Sequence, residues 1–268
     1  MATRLLALST SNPALVRCEL DRVRDGLTLD GEYASVASYS DGQMLHRRYG
    51  RDVPRDQVWE VPDTEGVLIA SGTLSVGRQL EDNAQPFRFH QWLFGQVGDV
   101  DRAEAVRERL YEQLPEFLQG IVRGASLAEV VFAQFLAQLR AVGRTDDPTL
   151  EARVAANALH AVARAVEQTS ADVGGTTRGR LALVAANGRV LVATRRGPQA
   201  LSYLLLEGQS GCRRCGIAHD APEKDALVRD HRRRRSVFIS TWPLTSNDVP
   251  IADGATIAVE RNLSIAVF

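Results

Sequence analysis

The sequence predicts an α+β fold with sheets packed against helices in layers, and three observations carry that expectation. Strand-like segments fill the first hundred residues, two long amphipathic helices follow, and strand-like segments return from Arg180 to the end. This is an order in which sheets and helices segregate. The chain has 268 residues, 44% of them hydrophobic and 24% charged, enough to bury a sizeable core. No Pro/Gly/Ser-rich linker, internal repeat or low-complexity tract divides it, so one domain over 1–268 is expected.

Taken in order, Leu5 to Leu8 form a short apolar run. Tyr33–Tyr39 and Gln43–Tyr49 are expected to pair across Ser40-Asp41-Gly42, because Asp-Gly tolerates the positive φ of a tight hairpin. Val67 to Ala70 is a further strand, closed by Ser71 and Gly72, and Phe87, Phe89, Trp92 and Phe94 cluster around His90. Asp101 is placed to cap a helix running to about Gln113, and Pro115 can open the next at its first turn. Ser126-Leu127-Ala128-Glu129 is a capping-box pattern, with Leu127, Val131, Phe135 and Leu139 on one face behind it. Gly143 ends that helix. Asp147-Pro148 is expected to start another, with Leu150, Val154, Ala158, Val162 and Val166 along one side and Gly174-Gly175 closing it. Leu181–Val184 and Arg189–Ala193 flank the hairpin signal Ala186-Asn187-Gly188. Further strands are expected at 201–206, 236–240, 256–260 and 264–268.

The 33 acidic and 32 basic residues leave a net charge of −1, which argues against wholesale coating of nucleic acid or anionic lipid. Lys224 is the only lysine, a bias read as bacterial-like codon usage rather than function. No apolar run approaches the ~20 residues of a membrane-spanning helix, and the start, Met1 to Leu8, has too short an apolar core for a signal peptide. Three cysteines do not make a secreted disulfide scaffold. A cytoplasmic protein without membrane association is expected.

Cys212-Arg-Arg-Cys215-Gly-Ile-Ala-His219 is the most chemically suggestive stretch. Two thiolates and an imidazole can fill three corners of a zinc tetrahedron, with His231 or Asp220 as the fourth. Arg213 and Arg214 would favour the thiolates. The bland alternative is a surface loop with incidental thiols or a labile local disulfide. A structural zinc is thus the single candidate cofactor. The run His231-Arg232-Arg233-Arg234-Arg235 could meet phosphates, but it lacks the interleaved aromatics of single-strand binders. It reads better as a solvated helix end, so nucleic acid is not an expected partner. His90 reads as a hydrogen-bonded core histidine, Cys18 as a small buried apolar side chain, and His160 has no visible partner.

Several stretches, in register, resemble the class II glutamine amidotransferases, a branch of the N-terminal nucleophile (Ntn) hydrolases. Arg4-Leu5-Leu6-Ala7 is similar to the opening after the family's N-terminal cysteine. Asp30-Gly31 stands where members carry Asp-Gly-Trp-Gly. Asn83-Ala84-Gln85-Pro86-Phe87 is similar to Asn-Thr-His-Pro-Phe, and Trp92-Leu93-Phe94-Gly95-Gln96-Val97-Gly98 to Trp-x-Phe-Ala-His-Asn-Gly. Glu129 with Phe132 and Phe135 resembles the helix beginning Asp-Ser-Glu, and Trp242-Pro243-Leu244 a Ser-Glu-Pro-Leu segment. The resemblance implies a four-layer αββα sandwich of two antiparallel sheets between helices. It also implies attack by a cysteine thiol on the glutamine amide, with the α-amino group as base and an oxyanion hole stabilising the intermediate.

Carried across by position, that chemistry is lost. Ala2, the residue left after Met1 removal, offers no nucleophile. The asparagine oxyanion donor falls on Val97, although Gly98 is kept. The substrate-binding arginine falls near Thr73 in Ala70-Ser71-Gly72-Thr73, and the aspartate for the substrate amine falls on Leu127. The expectation is a catalytically inactive protein acting as a binding or regulatory subunit, for a protein partner or for a small molecule in the vestigial cleft. Two alternatives stand beside it. Thr3, aligned on Arg-Leu-Leu-Ala, occupies the cysteine slot and could act as nucleophile once Ala2 is removed. The cysteine loop and arginine run could instead form a zinc-stabilised nucleic-acid module.

Overall fold

The computed structural model describes residues 2–24, 28–40, 42–74, 80–143, 145, 147, 149–176 and 179–268. Its elements are β1 (Ala2–Thr10), α1 (Val16–Arg24), β2 (Tyr33–Ser40), β3 (Gln43–Tyr49), β4 (Gly66–Gly72), α2 (Leu80–Asn83), β5 (Phe87–Phe89) and β6 (Trp92–Val97). There follow α3 (Ala103–Glu112), α4 (Glu116–Gln119), α5 (Leu127–Ala141), α6 (Ala152–Asp172), β7 (Leu181–Ala186), β8 (Leu191–Arg196) and β9 (Ser202–Glu207). The chain closes with α7 (Ala226–Arg233), β10 (Arg235–Ser240), β11 (Val249–Pro250), β12 (Thr256–Val259) and β13 (Ile265–Val267).

The strands lie in two stacked layers. One runs β3-β2-β4-β1-β10-β9-β11 and the other β5-β6-β7-β8-β12-β13. Pairing within each layer is antiparallel. The layers fuse at one corner, where Ala2 pairs in parallel with Val97. The two-residue strand period sorts the side chains between cores. In β1, Leu5 and Ala7 enter the core between the sheets, whereas Leu6 and Leu8 face α1. In β10, Val237 and Ile239 face inward and Phe238 outward. In β7, Ala182 and Val184 face inward while Leu181, Leu183 and Ala185 meet the helices. The result is helix, sheet, sheet, helix: the αββα layering.

On one outer face, Val16, Leu20 and Val23 of α1 pack with Leu6, Leu8 and Phe238. On the other, α6 lies across β8 and β12 with α5 beside it. Trp92 meets Phe135 edge-on, with centroids 5.0 Å apart, and Phe94 stacks on Phe132 at 5.2 Å. These contacts seat α5 on β6.

Local differences from expectation have physical reasons. Strand ends shift by one to three residues. The β2–β3 hairpin pairs Ser40 with Gln43, and Gly42 has φ of 73°; Asp41 lies outside the described residues. His90 is not a core residue: it is exposed in the β5–β6 turn at φ of 48°, its ring edge-on to Phe89. Asp101 does not cap α3, whose N-cap is Arg102; its carboxylate instead accepts from the Thr176 amide at 2.8 Å. The helix expected from Asp147-Pro148 begins only at Ala152, and Pro148 lies outside the described residues. His160 has partners: Nδ1 lies 3.1 Å from the Thr256 hydroxyl, and Nε2 lies 3.1 Å from an Arg196 nitrogen.

Candidate metal centre and the cleft at the sheet corner

The corner that joins the two sheets gathers the positions singled out by resemblance. Ala2 pairs with Val97 on β6 and with Gly72 on β4, the residue before Thr73. Gly98 follows Val97 and, with Leu127 at the start of α5, lines a cavity of about 310 Å³. The Val97 side chain itself is buried in the core between the sheets. Thr3 is exposed at a bulge between Ala2 and Arg4, and its hydroxyl donates to the Ser71 carbonyl at 3.3 Å.

Sequence reasoning did not single out the polar lining of this cavity, which includes Gln85, Gln96 and Arg107. Gln85 Oε1 accepts from the Gln96 amide at 2.5 Å, while Gln96 Oε1 is buried without a hydrogen-bond partner among the described residues. The motifs at 83–87 and 92–98 contain Gln85 and Gln96, Arg107 lies outside both, and nothing in the sequence tells how the three would face. Glu129 makes only half of the anticipated capping box. Ser126 Oγ accepts from the Glu129 amide at 3.2 Å, but the Glu129 carboxylate accepts from Arg123 and Gly124 at 2.8 and 2.7 Å. Burial outweighs those bonds and raises the Glu129 carboxyl above its usual value. Its work is to hold the 123–125 turn at the cavity rim, with Asn83 Oδ1 accepting from Ala125 at 3.2 Å.

A second constellation lies around α1. Cys212 and Cys215 sit in a turn closed by paired backbone bonds between Cys212 and Ile217, both 2.9 Å. Gly216, with φ of 66°, makes that turn. Cys18 comes from α1 and His231 from α7. One ligand atom from each of Cys18, Cys212, Cys215 and His231 falls within 4.8 Å of all the others. The Cys18 and Cys215 sulfurs are 3.5 Å apart, and all three thiols are free. His231 is fully buried. Its Nδ1 donates to the Leu227 carbonyl at 2.8 Å, which leaves Nε2 without a partner among the described residues. Burial, reinforced by the neighbouring thiols, pushes Cys18 well above the ordinary thiol range. Burial raises Cys215 too, against the lowering pull of the Arg234 charge.

Thus Cys212, Cys215 and His231 do come together, but the group differs from the expected one. His219 is exposed and its Nδ1 lies 3.0 Å from the Ser210 hydroxyl; Cys18 stands in the cluster instead. The apolar reading of Cys18 therefore describes its burial and misses its neighbours. Only the total of three cysteines hinted at it, because 194 residues separate Cys18 from Cys212. Arg214 ties the loop to α1 by bonding Asp21 at 2.5 and 3.1 Å, and to the segment before β4 by bonding Glu60 at 3.2 Å. The basic run is not a uniformly solvated helix end either. His231 and Arg234 are buried, Arg234 is ion-paired with Glu19, and Arg232 meets Glu223 at 2.8 Å.

No protein-family model matches the chain, and no curated protein does. Solved structures do match in fold. A glutamine aminotransferase class-II domain protein from Silicibacter pomeroyi superimposes with a TM-score of 0.60 at 16% identity, over 99% of this chain and 98% of that one. A Pseudomonas aeruginosa protein described as a predicted glutamine amidotransferase gives 0.58 at 14%, over 99% and 95%. Glutamine phosphoribosylpyrophosphate amidotransferase from B. subtilis gives 0.56 at 10%, over 99% of this chain but 48% of that enzyme. The chain therefore shares the fold of these glutamine amidotransferase structures.

Proposed function

We propose that this chain keeps the architecture of a class II glutamine amidotransferase without its chemistry, and that it serves as a binding or regulatory protein whose cleft holds a small molecule or a protein partner. The observation that carries this reading is the chemistry at the sheet corner. Ala2 brings a methyl group, and the Val97 isopropyl lies in the core. Among the described residues no cysteine lines the cavity, and its serine, Ser126, uses its oxygen at the α5 cap. Without a nucleophile no acyl-enzyme forms. Loss of one oxyanion donor costs a further 10²–10³ or so in rate. Thr73 and Leu127 stand in place of the family's charged clamp for free glutamine, and the Arg107 guanidinium in the cavity lining donates instead to the Gly124 carbonyl at 3.0 Å.

A structural zinc at the cysteine–histidine group belongs to the same reading, as does a cytoplasmic setting in which thiols stay reduced. Four protein donors close the coordination sphere and leave no position for water or substrate. No helix among the described residues is long and apolar enough to cross a membrane.

The test is ammonia release from L-glutamine by pure protein, with calorimetric titration alongside. No turnover and no binding tighter than millimolar are expected. Sustained ammonia release overturns the reading, and a mass showing a chain that begins at Thr3 would then identify the nucleophile.

A further inference from the structure

The geometry points to a closed centre for one soft divalent ion, built by Cys18, Cys212, Cys215 and His231, in which Arg234 supplies the counter-charge and donates to the thiolates. The inference rests on the structural zinc above and adds to it the residues outside the coordination sphere. The donor set is right for zinc: three sulfurs and an imidazole nitrogen, drawn from two helices and one tight turn. In a tetrahedron with Zn–S near 2.3 Å, two sulfurs stand about 3.8 Å apart, and Cys18 and Cys215 are 3.5 Å apart. The imidazole is already oriented, since the Leu227 carbonyl takes the Nδ1 proton and leaves Nε2 as the donor. Such an outer partner is what metal-bound histidines ordinarily have.

Charge then decides what must surround the ion. On binding, three thiols lose their protons to solvent, while three sulfur–metal bonds and one nitrogen–metal bond form. The centre carries one net negative charge in a buried site, where an uncompensated charge is costly. Arg234 is 2% exposed and lies three residues after His231. Its Nη1 and Nη2 have no hydrogen-bond partner among the described residues, an expensive condition for a buried guanidinium unless acceptors are supplied. Thiolates are such acceptors. Through Nε, Arg234 pairs with Glu19, and Glu19 meets Arg22 at 3.1 Å. The sequence of charges from centre to Arg22 alternates and sums to zero.

The experiment supplies zinc or cobalt(II) alone to the full chain. About one equivalent of zinc is expected, and the cobalt form should show the intense visible bands and thiolate charge-transfer absorption of a tetrahedral sulfur-rich site. Cys18→Ser should abolish that signature, and His219→Ala should leave it intact. Arg234→Met should keep the tetrahedral spectrum but lose about 10–100-fold in affinity in a chelator competition, the range for removal of an outer-shell partner. Arg234→Lys should recover much of the loss. Should Arg234→Met not fold, Arg234→Gln removes the same charge and carries the same comparison. An Arg234→Met or Arg234→Gln protein that holds metal as tightly as the parent overturns the role of Arg234 and leaves the zinc standing. Failure of the parent chain to take up metal overturns both.

Discussion

A Cβ at Gly98 would lie 1.9 Å from the Arg180 carbonyl oxygen, at a φ of 113° that side chains rarely adopt. The backbone thus requires glycine here whether or not its amide faces an oxyanion, and its retention beside Val97 says nothing for catalysis. Gly98→Ala is expected to cost more than about 2 kcal/mol, read by denaturant unfolding, since strain and collision act together. His46 on β3 makes a different residue-level prediction. Burial first, then the charges of Arg48 and Arg88, pull its pKa down to about 3. The unfolded chain takes up this proton near pH 6.5, the folded one only near 3. Between those values the unfolded state binds more protons, so stability falls as the pH falls. His46→Gln should flatten the stability profile in that window and leave it unchanged above pH 7; an unchanged acid limb would refute the assignment.

At the scale of the element, α5 owes its start to one hydroxyl. Ser126 is its N-cap and accepts from the Glu129 amide, so Ser126→Ala should cost about 1 kcal/mol. Glu129→Ala should cost more by the same measurement. Its carboxylate is the acceptor for two backbone amides at the cavity rim, and removing it leaves those donors without their partner. The long helix α6 shows the ordinary rule: Ala155, Leu159, Val162 and Val166 form its buried stripe, spaced by three or four residues.

At the scale of the molecule, both outer layers rest on apolar cores, but the 208–234 segment that lies over α1 is secured differently. The α5–α6 side is held by a large apolar core that includes Trp92, Phe94, Phe132 and Phe135. Around Cys18 the apolar cluster is small, with Leu15, Cys18 and Cys212 at its centre, and polar groups bind the 208–234 segment to α1. On the proposal that zinc fills the cysteine–histidine group, treatment with a chelator should therefore lower Tm by at least about 5 °C, on a scale of 2–4 °C per kcal/mol for a chain somewhat smaller than this one. Limited proteolysis should then cut between 208 and 225 first, and unaltered cleavage after chelation would contradict the role given to the centre.

Much of the architecture was legible in the chain because it depends on local periodicity. The strand runs 33–39 and 181–184 beside their Asp-Gly and Asn-Gly turns, and the four-residue repeat after Ser126, each express a steric preference set by near neighbours. The cleft and the metal group were legible only in part. Cys212 and Cys215 announce themselves by spacing, but the choice of Cys18 over His219 depends on how α1 docks against the 212–217 turn. Likewise, that two residues of the arginine-rich run are buried follows from where α7 lies, not from their charge. Local patterns determined the elements; long-range packing alone decided which side chains meet, because a contact across 194 residues leaves no periodic trace along the sequence.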